Sequence, residues 1–262
     1  MHSSRTLGDL TVFALQDAEG PHFQTRAEAF PAASAHQWAA ADGFDPAARP
    51  ADGRWWLRFR SFAIRYADGP VTLVDAGVGP AGSPAGAWAP VPGRLPAELA
   101  EVGIAPGDVR TIVLTHLHSD HVGWAIPATT PFPQARVVVQ RADVDAFADV
   151  RGDDLLAEPD RLHVLDGDVD LGPGVRVVAT PGHTPGHQSV LAGAGDDSIL
   201  ITGDLVVHAI QLLYPELAYA HDMDPELAAV TRQKILYAAT TGGALMAVSH
   251  LGKPFCPTRQ DA

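Results

Sequence analysis

Thr115-His116-Leu117-His118-Ser119-Asp120-His121 follows directly on Arg110-Thr111-Ile112-Val113-Leu114. The five preceding residues are β-branched and aliphatic enough to read as a short buried strand. That strand carries three imidazoles and a carboxylate to its carboxyl end, where open α/β sheets bind their ligands. Protonated imidazoles at this spacing would repel, so something positive should hold them. The alternation His-x-His-x-Asp-His turns His116 and His118 toward one point and Asp120 and His121 toward a second, so one loop can serve two metals.

Taken singly, any of the twelve histidines is more simply a satisfied polar group or a solvated surface residue. Three further motifs change that reading. His183 stands in Thr180-Pro181-Gly182-His183-Thr184-Pro185-Gly186-His187, Asp204 in Leu200-Ile201-Thr202-Gly203-Asp204, and His250 in Val248-Ser249-His250, each after a plausible strand. The heptapeptide resembles the signature of the metallo-β-lactamase superfamily, and these are the partners that the resemblance demands, in order. It implies that His116, His118 and His183 hold a first metal and Asp120, His121 and His250 a second, with Asp204 bridging both. Nitrogen and oxygen ligands suit zinc, although similar enzymes run on iron, manganese or cobalt. The expected cofactor is therefore two divalent transition-metal ions, with zinc first.

The same resemblance implies an α/β fold, an αββα sandwich of two mixed β-sheets with helices outside, as a single domain over residues 1–262. Hydrophobic residues make up 46% of the chain, ample for a sizeable core. No apolar run approaches the roughly eighteen residues of a membrane span. The first residues show no apolar leader, which makes the cytoplasm the expected location. With 18 basic against 31 acidic residues the formal charge is −13, which argues against attraction to nucleic acid. A small substrate, neutral or weakly charged, is expected, with no nucleic-acid or membrane partner; a homodimer is admissible. Cys256, the single cysteine, lies outside every ligand motif and reads as a bystander.

Along the chain, Leu10 to Leu15 reads as a first strand. Residues 16–54 and 76–94 read as active-site loops, and Trp38, Trp55 and Trp56 around the first suggest an apolar lid, ordinary core packing being the alternative for each tryptophan. Arg58 to Tyr66 alternates as a half-buried strand, with a turn at Ala67–Pro70 and a hairpin partner at Val71 to Val74. A short helix is expected over Leu95 to Val102, strands over Arg136 to Gln140 and Val175 to Ala179, and a hairpin joining Ser189–Leu191 to Ile199–Thr202. Asp224-Pro225-Glu226 reads as the start of a helix that Gly242 and Gly243 stop, and Ala244 to Ser249 as the strand delivering His250. Asp75, by the resemblance, supports the metal site from outside. His187 is expected to brace its loop, and Trp124 to lie near the cavity or beneath it, as a candidate substrate contact.

The chemistry that the resemblance implies is attack by a hydroxide shared between two metals, with Asp120 moving a proton. Asp204 occupies the place where thiolate-using β-lactamases carry cysteine, so antibiotic hydrolysis is not expected. Thr115 to Gly123, Gly182 to Ser189 and Gly203-Asp204 are similar to the acyl-homoserine lactonases and the methyl parathion hydrolases, a likeness covering most of residues 55 to 255. The expected substrate is a small, largely apolar ester, lactones ahead of phosphotriesters and then thioesters. A metal-binding module without turnover is the non-enzymatic alternative. His208, four residues past Asp204, stands near where similar lactonases place a hydrogen-bonding side chain, so the resemblance implies that it contacts the substrate carbonyl or leaving group and shares in binding and catalysis; a structural or surface histidine is the equal alternative.

Overall fold

The computed structural model describes residues 2–48, 54–67, 69–126, 130–150 and 159–257. β1 (Ser4–Leu7), β2 (Leu10–Thr25), β3 (Arg54–Tyr66), β4 (Val71–Val74), β5 (Val109–Val113), β6 (Arg136–Gln140) and β7 (Leu162–Leu165) follow one another in that order across a seven-stranded sheet. Its first four strands pair antiparallel and β4 to β7 pair parallel. The second sheet has six strands, in the order β13-β12-β11-β10-β9-β8. These are β8 (Val169–Gly172), β9 (Val175–Ala179), β10 (Gln188–Ala194), β11 (Asp197–Ile201), β12 (Leu245–Ala247) and β13 (Phe255–Pro257). Only β11 and β12 pair parallel there, so both sheets are mixed.

The layering follows from side chains alternating across a strand. On β6, Val138 joins the core between the sheets while Val137 and Val139 point to the opposite face. On β11, Ile199 and Ile201 face the inter-sheet core and Leu200 faces outward. Strands covered on both faces are near-continuous apolar runs for this reason. Each such side chain taken from water contributes about 1.5–3 kcal/mol. α3 (Leu95–Glu101; α1 and α2 are placed below) packs Leu95 and Leu99 onto the outer face of the first sheet. α7 (Pro225–Thr241) packs Leu236 and Ala239 against Leu200 and Met246 on the second. The result is the αββα sandwich. Asp224 caps α7, its carboxylate accepting from the Leu227 N–H at 3.0 Å.

The described part of residues 16–54 departs from the expected loop, residues 49–53 lying outside the described residues. β2 continues to Thr25, paired to β3 from Leu10↔Tyr66 to Thr25↔Arg54 with register shifts at Gln16/Ala18 and Pro21/Thr25. Gly20 and Pro21 discourage a strand assignment locally, but an irregular ladder tolerates both. Two helices follow, α1 (Arg26–Ala29) and α2 (Ala35–Phe44), each opened by a reciprocal capping box, Thr25 with Glu28 and Ser34 with Gln37. Those spacings are visible in the sequence. They are easily passed over because α2 spreads its apolar residues around the axis instead of along one stripe. Residues 76–94 contain only a 3-10 turn at Pro84–Ala87. The turn expected at Ala67–Pro70 includes residue 68, which lies outside the described residues.

Candidate metal centre

β5 ends at Val113, and the backbone then turns through Thr115 to His118 into a short helix, α4 (Ser119–Val122). β9 leads to His183, β11 to Asp204 and β12 to His250, so four strand ends from both sheets converge on one place. His116, His118, His183 and Asp204 form one group whose candidate donor atoms all lie within 4.8 Å of one another, and Asp120, His121 and His250 form a second. Asp204 joins them. Its Oδ2 lies 3.4 Å from His183 Nε2 and 3.8 Å from His116 Nε2. Its Oδ1 lies 3.0 Å from His250 Nε2 and 3.4 Å from His121 Nε2.

Four of the five histidines are oriented from behind through Nδ1. His121 Nδ1 faces Asp75 Oδ2 at 2.8 Å, and His183 Nδ1 faces Asp222 Oδ1 at 3.0 Å. His250 Nδ1 donates to the Arg58 carbonyl at 2.7 Å, and His116 Nδ1 sits 3.1 Å from Thr115 Oγ1. With the proton on Nδ1, each ring turns an Nε2 lone pair inward, the tautomer a metal ligand needs. His118 points Nδ1 inward instead, 2.9 Å from His116 Nε2 and 3.1 Å from His183 Nε2. Lone pairs and carboxylates packed at these distances repel unless a positive charge lies among them. Among the described residues, buried His121 Nε2 and Asp204 Oδ1 have no partner in hydrogen-bond geometry. The donor set fits divalent cations with nitrogen and oxygen preference.

The pull of the carboxylates on positive charge also shows in the protonation equilibria. Burial pushes His118 down to about 3 and His116 well below the ordinary imidazole range. Burial also works against charge on His121, but Asp120, Asp204 and Asp75 outweigh it and hold that imidazole well above its usual value. His250 is raised by Asp204 against the same burial. Asp204 and Asp120 lie below the ordinary carboxylate range despite burial, because His250 and His121 stabilise their charge.

Further carboxylates that sequence reasoning missed hold the loops in place. Asp222 accepts from the Tyr219 N–H at 3.0 Å and pairs with buried Arg232 at 3.2 Å, while its other oxygen meets His183. Asp143, on α5 (Arg141–Ala146), bridges two ligand loops, accepting from the Gly186 N–H at 2.6 Å, Thr184 Oγ1 at 3.0 Å and the Leu117 N–H at 3.2 Å. Asp17, on β2, pins the 76–94 segment through the Val78 and Leu95 N–H groups, both at 2.6 Å. Each reads as an ordinary surface acid in sequence, and partners as far as 78 residues away carry no local signal.

Asp75 sits at φ +60, a left-handed conformation that short polar side chains tolerate best. There its carboxylate accepts from the Thr115 N–H at 2.7 Å as well as meeting His121. Gly203 has φ +51, and a Cβ there would stand 2.6 Å from Thr115 Cβ and 2.8 Å from His187 Nε2. His187 lies outside both ligand groups. Its Nε2 accepts from the Asp204 N–H at 3.0 Å and its Nδ1 faces the Thr180 carbonyl at 3.1 Å, which braces the bridging residue.

Above the histidines lies a cleft of about 180 Å³. Phe23, Trp55, Leu57, Trp88 and Tyr219 line it with His22, so the β2–β3 arm supplies much of the wall. Trp88 is fixed by an Nε1–H bond to Ser119 Oγ at 3.0 Å. Two expected substrate contacts need correction. Trp124 packs with the outer core of the first sheet and donates its indole N–H to Asp17 at 3.0 Å, because that buried carboxylate requires donors. His208 does not line the cleft either. It is 3% exposed, caps α6 (Ala209–Leu213) by accepting from the Ile210 N–H, and is enclosed by Phe30, Trp38 and Trp55. Cys256 is buried, its thiol pushed up to about 12 by burial, and lies in the outer core of the second sheet.

A sequence profile described as the metallo-beta-lactamase superfamily matches residues 60–250. An N-acyl homoserine lactonase of Bacillus thuringiensis is 33% identical over 135 residues, 50% of this chain and 51% of that protein. Metallo-beta-lactamase domain-containing protein 1 of Xenopus laevis is 35% identical over 143 residues, 53% of this chain and 54% of that one. The chain thus spans about half, or less, of the curated relatives it matches. Among solved structures, a hydrolase named AbOPH of the beta lactamase superfamily superposes with TM-score 0.78 at 25% identity, over 97% of this chain and 91% of that one. AidC, a dizinc quorum-quenching lactonase in complex with a product, superposes with TM-score 0.77 at 20% identity over the same shares, which speaks to fold alone.

Proposed function

The chain belongs to the metallo-beta-lactamase superfamily, and on that premise we propose that it is a dinuclear metal-dependent hydrolase of a small, largely apolar ester, lactones ahead of phosphotriesters. The observation that carries this reading is the split of Asp204, one carboxylate oxygen turned to each histidine group. His116, His118 and His183 would hold one ion, Asp120, His121 and His250 the other, and Asp204 both. Their nitrogen and oxygen donors suit zinc. Two divalent ions there would supply a water acidified from a pKa of about 15.7 toward 7 and a Lewis-acid contact for the ester oxygen.

The protein's own groups do the rest. Asp120 turns Oδ2 toward His121 and His250, at 3.3 and 3.7 Å, and Oδ1 has no partner among the described residues. That oxygen accepts the proton of the attacking water and returns it to the departing alkoxide. His22 stacks on Trp55 at 4.3 Å, and Tyr219 Oη lies 3.2 Å from His22 Nε2, so the wall over the reacting atoms is aromatic and preorganised. An apolar acyl or aryl body fits such a wall, and the lactonase relatives favour the lactone.

A pH-stat screen of acyl lactones, aryl esters, organophosphate triesters and a thioester at matched metal loading tests the substrate class. Turnover restricted to the thioester or to a β-lactam overturns the lactone reading and leaves the metal site intact. Full metal occupancy with no turnover of any of them favours a metal-binding module.

A further inference from the structure

At the opposite end of the sandwich from the histidines, the two sheets part around a second cavity of about 870 Å³. It lies at the amino ends of β5 and β6, beside the β8 end and the β10–β11 turn. Its volume is within the range of small-molecule sites, and the metal centre plays no part in it.

Its chemistry is two-sided. Leu7, Leu10 and Leu171 give an apolar floor continuous with the inter-sheet core. Arg110 and Arg136 stand at the wall with half-buried Tyr66. Arg110 donates to Gln134 Oε1 at 2.6 Å and Arg136 Nε to Thr111 Oγ1 at 3.2 Å. Neither guanidinium forms an ion pair with a carboxylate among the described residues. In a chain with 31 acidic and 18 basic residues, two such arginines in one cavity stand out. Asp9, exposed at the rim, is the one acidic residue among those lining it. The Tyr66 phenol, which burial shifts upward, can donate a hydrogen bond.

We propose that this cavity is a binding site for an amphiphilic monocarboxylate, the head held by Arg110 and Arg136 and an aliphatic chain laid over Leu7, Leu10 and Leu171. Arginine suits the head because its planar fork matches a carboxylate. The floor suits the tail because each methylene removed from water contributes about 0.8 kcal/mol.

Isothermal titration of the metal-loaded protein with sodium octanoate, sodium acetate and 1-octanol tests the proposal. Octanoate is expected to bind saturably and more tightly than either of the others, with affinity falling as salt screens the head contact. The double variant R110Q/R136Q should weaken octanoate by about tenfold or more, the weight of a charge-assisted contact, with an unchanged circular dichroism spectrum because both side chains are exposed. Octanol binding as tightly as octanoate, or a double variant that keeps parental affinity, overturns it. Should the double variant fail to fold, octanoate binding by the parent that is insensitive to salt, or no tighter than acetate, overturns it equally.

Discussion

Replacing Asp222 with asparagine separates the orienting of a metal ligand from simple packing. Asp222 carries two loads, the His183 imidazole at 3.0 Å and the Arg232 guanidinium at 3.2 Å. Asparagine keeps the size and an acceptor for His183 but removes the charge. Loss of the outer partner of a ligating histidine costs about 10- to 100-fold in metal affinity or activity, or roughly 1.4–2.7 kcal/mol. The second cost falls on Arg232, which is 1% exposed. Breaking a buried pair from one side costs about 3–5 kcal/mol. Arg232 also donates to the carbonyls of Leu205, Pro215 and Leu217 at 2.7, 3.0 and 2.9 Å, so the low end, about 3 kcal/mol, is expected. At roughly 2–4 °C per kcal/mol for a chain near this size, the melting temperature of the metal-free D222N protein should fall by about 6–12 °C. Differential scanning calorimetry measures that fall, and competition with a chromogenic chelator measures the metal affinity. A folded D222N protein whose metal affinity and turnover stay within about twofold of the parent would refute the orienting role.

Three other expectations follow from the same geometry. Elemental analysis should find two equivalents of transition metal per chain, and Asp204→Ala should lose occupancy and activity together, since one carboxylate faces both histidine groups; a single equivalent unchanged by reconstitution contradicts this. Asp120→Asn should depress turnover by orders of magnitude with metal retained, because an amide cannot move the proton. His187→Asn should instead act mainly on stability, by about 1–3 kcal/mol, through the orphaned Asp204 N–H; equal loss of turnover in both with metals in place overturns the division. His208 is held near pKa 3 by burial, beside Arg26, and stays neutral in the fold, whereas the unfolded chain protonates it below about 6.5. The unfolded state therefore binds the extra proton between those values, and stability falls on acidification by about 1.4 kcal/mol per pH unit for this group. His208→Asn, which keeps a capping side chain, should flatten the dependence of stability on pH between about 6 and 4, as urea melts would show; an unchanged slope removes the assignment.

What the sequence by itself determined is the chemistry at the strand ends. The seven candidate ligands stand in four short motifs, each attached to a strand with its own apolar signal, and the structure gathers all of them in two groups that meet at Asp204. Imidazole and carboxylate chemistry has few substitutes, so the short motifs carry the information, and the family resemblance carried Asp75 with them. The tertiary structure alone decided the outer partners and the walls. Asp17, Asp143 and Asp222 act on backbone and imidazole groups that only folding brings near, and a lone aspartate looks the same in sequence whether it is solvated or buried against a histidine. The second half of β2, from Gln16 on, was read as part of a loop because residues 16–54 lack clear periodicity and are rich in Ala, Pro, Asp and Gly, while the ladder with residues some forty positions away outweighs local propensity. Trp124 was expected near the cleft from its place just after His121, and His208 from the likeness to lactonases. Where they point was settled by what lay behind them, a buried carboxylate short of donors in one case and an aromatic cluster around Trp55 in the other.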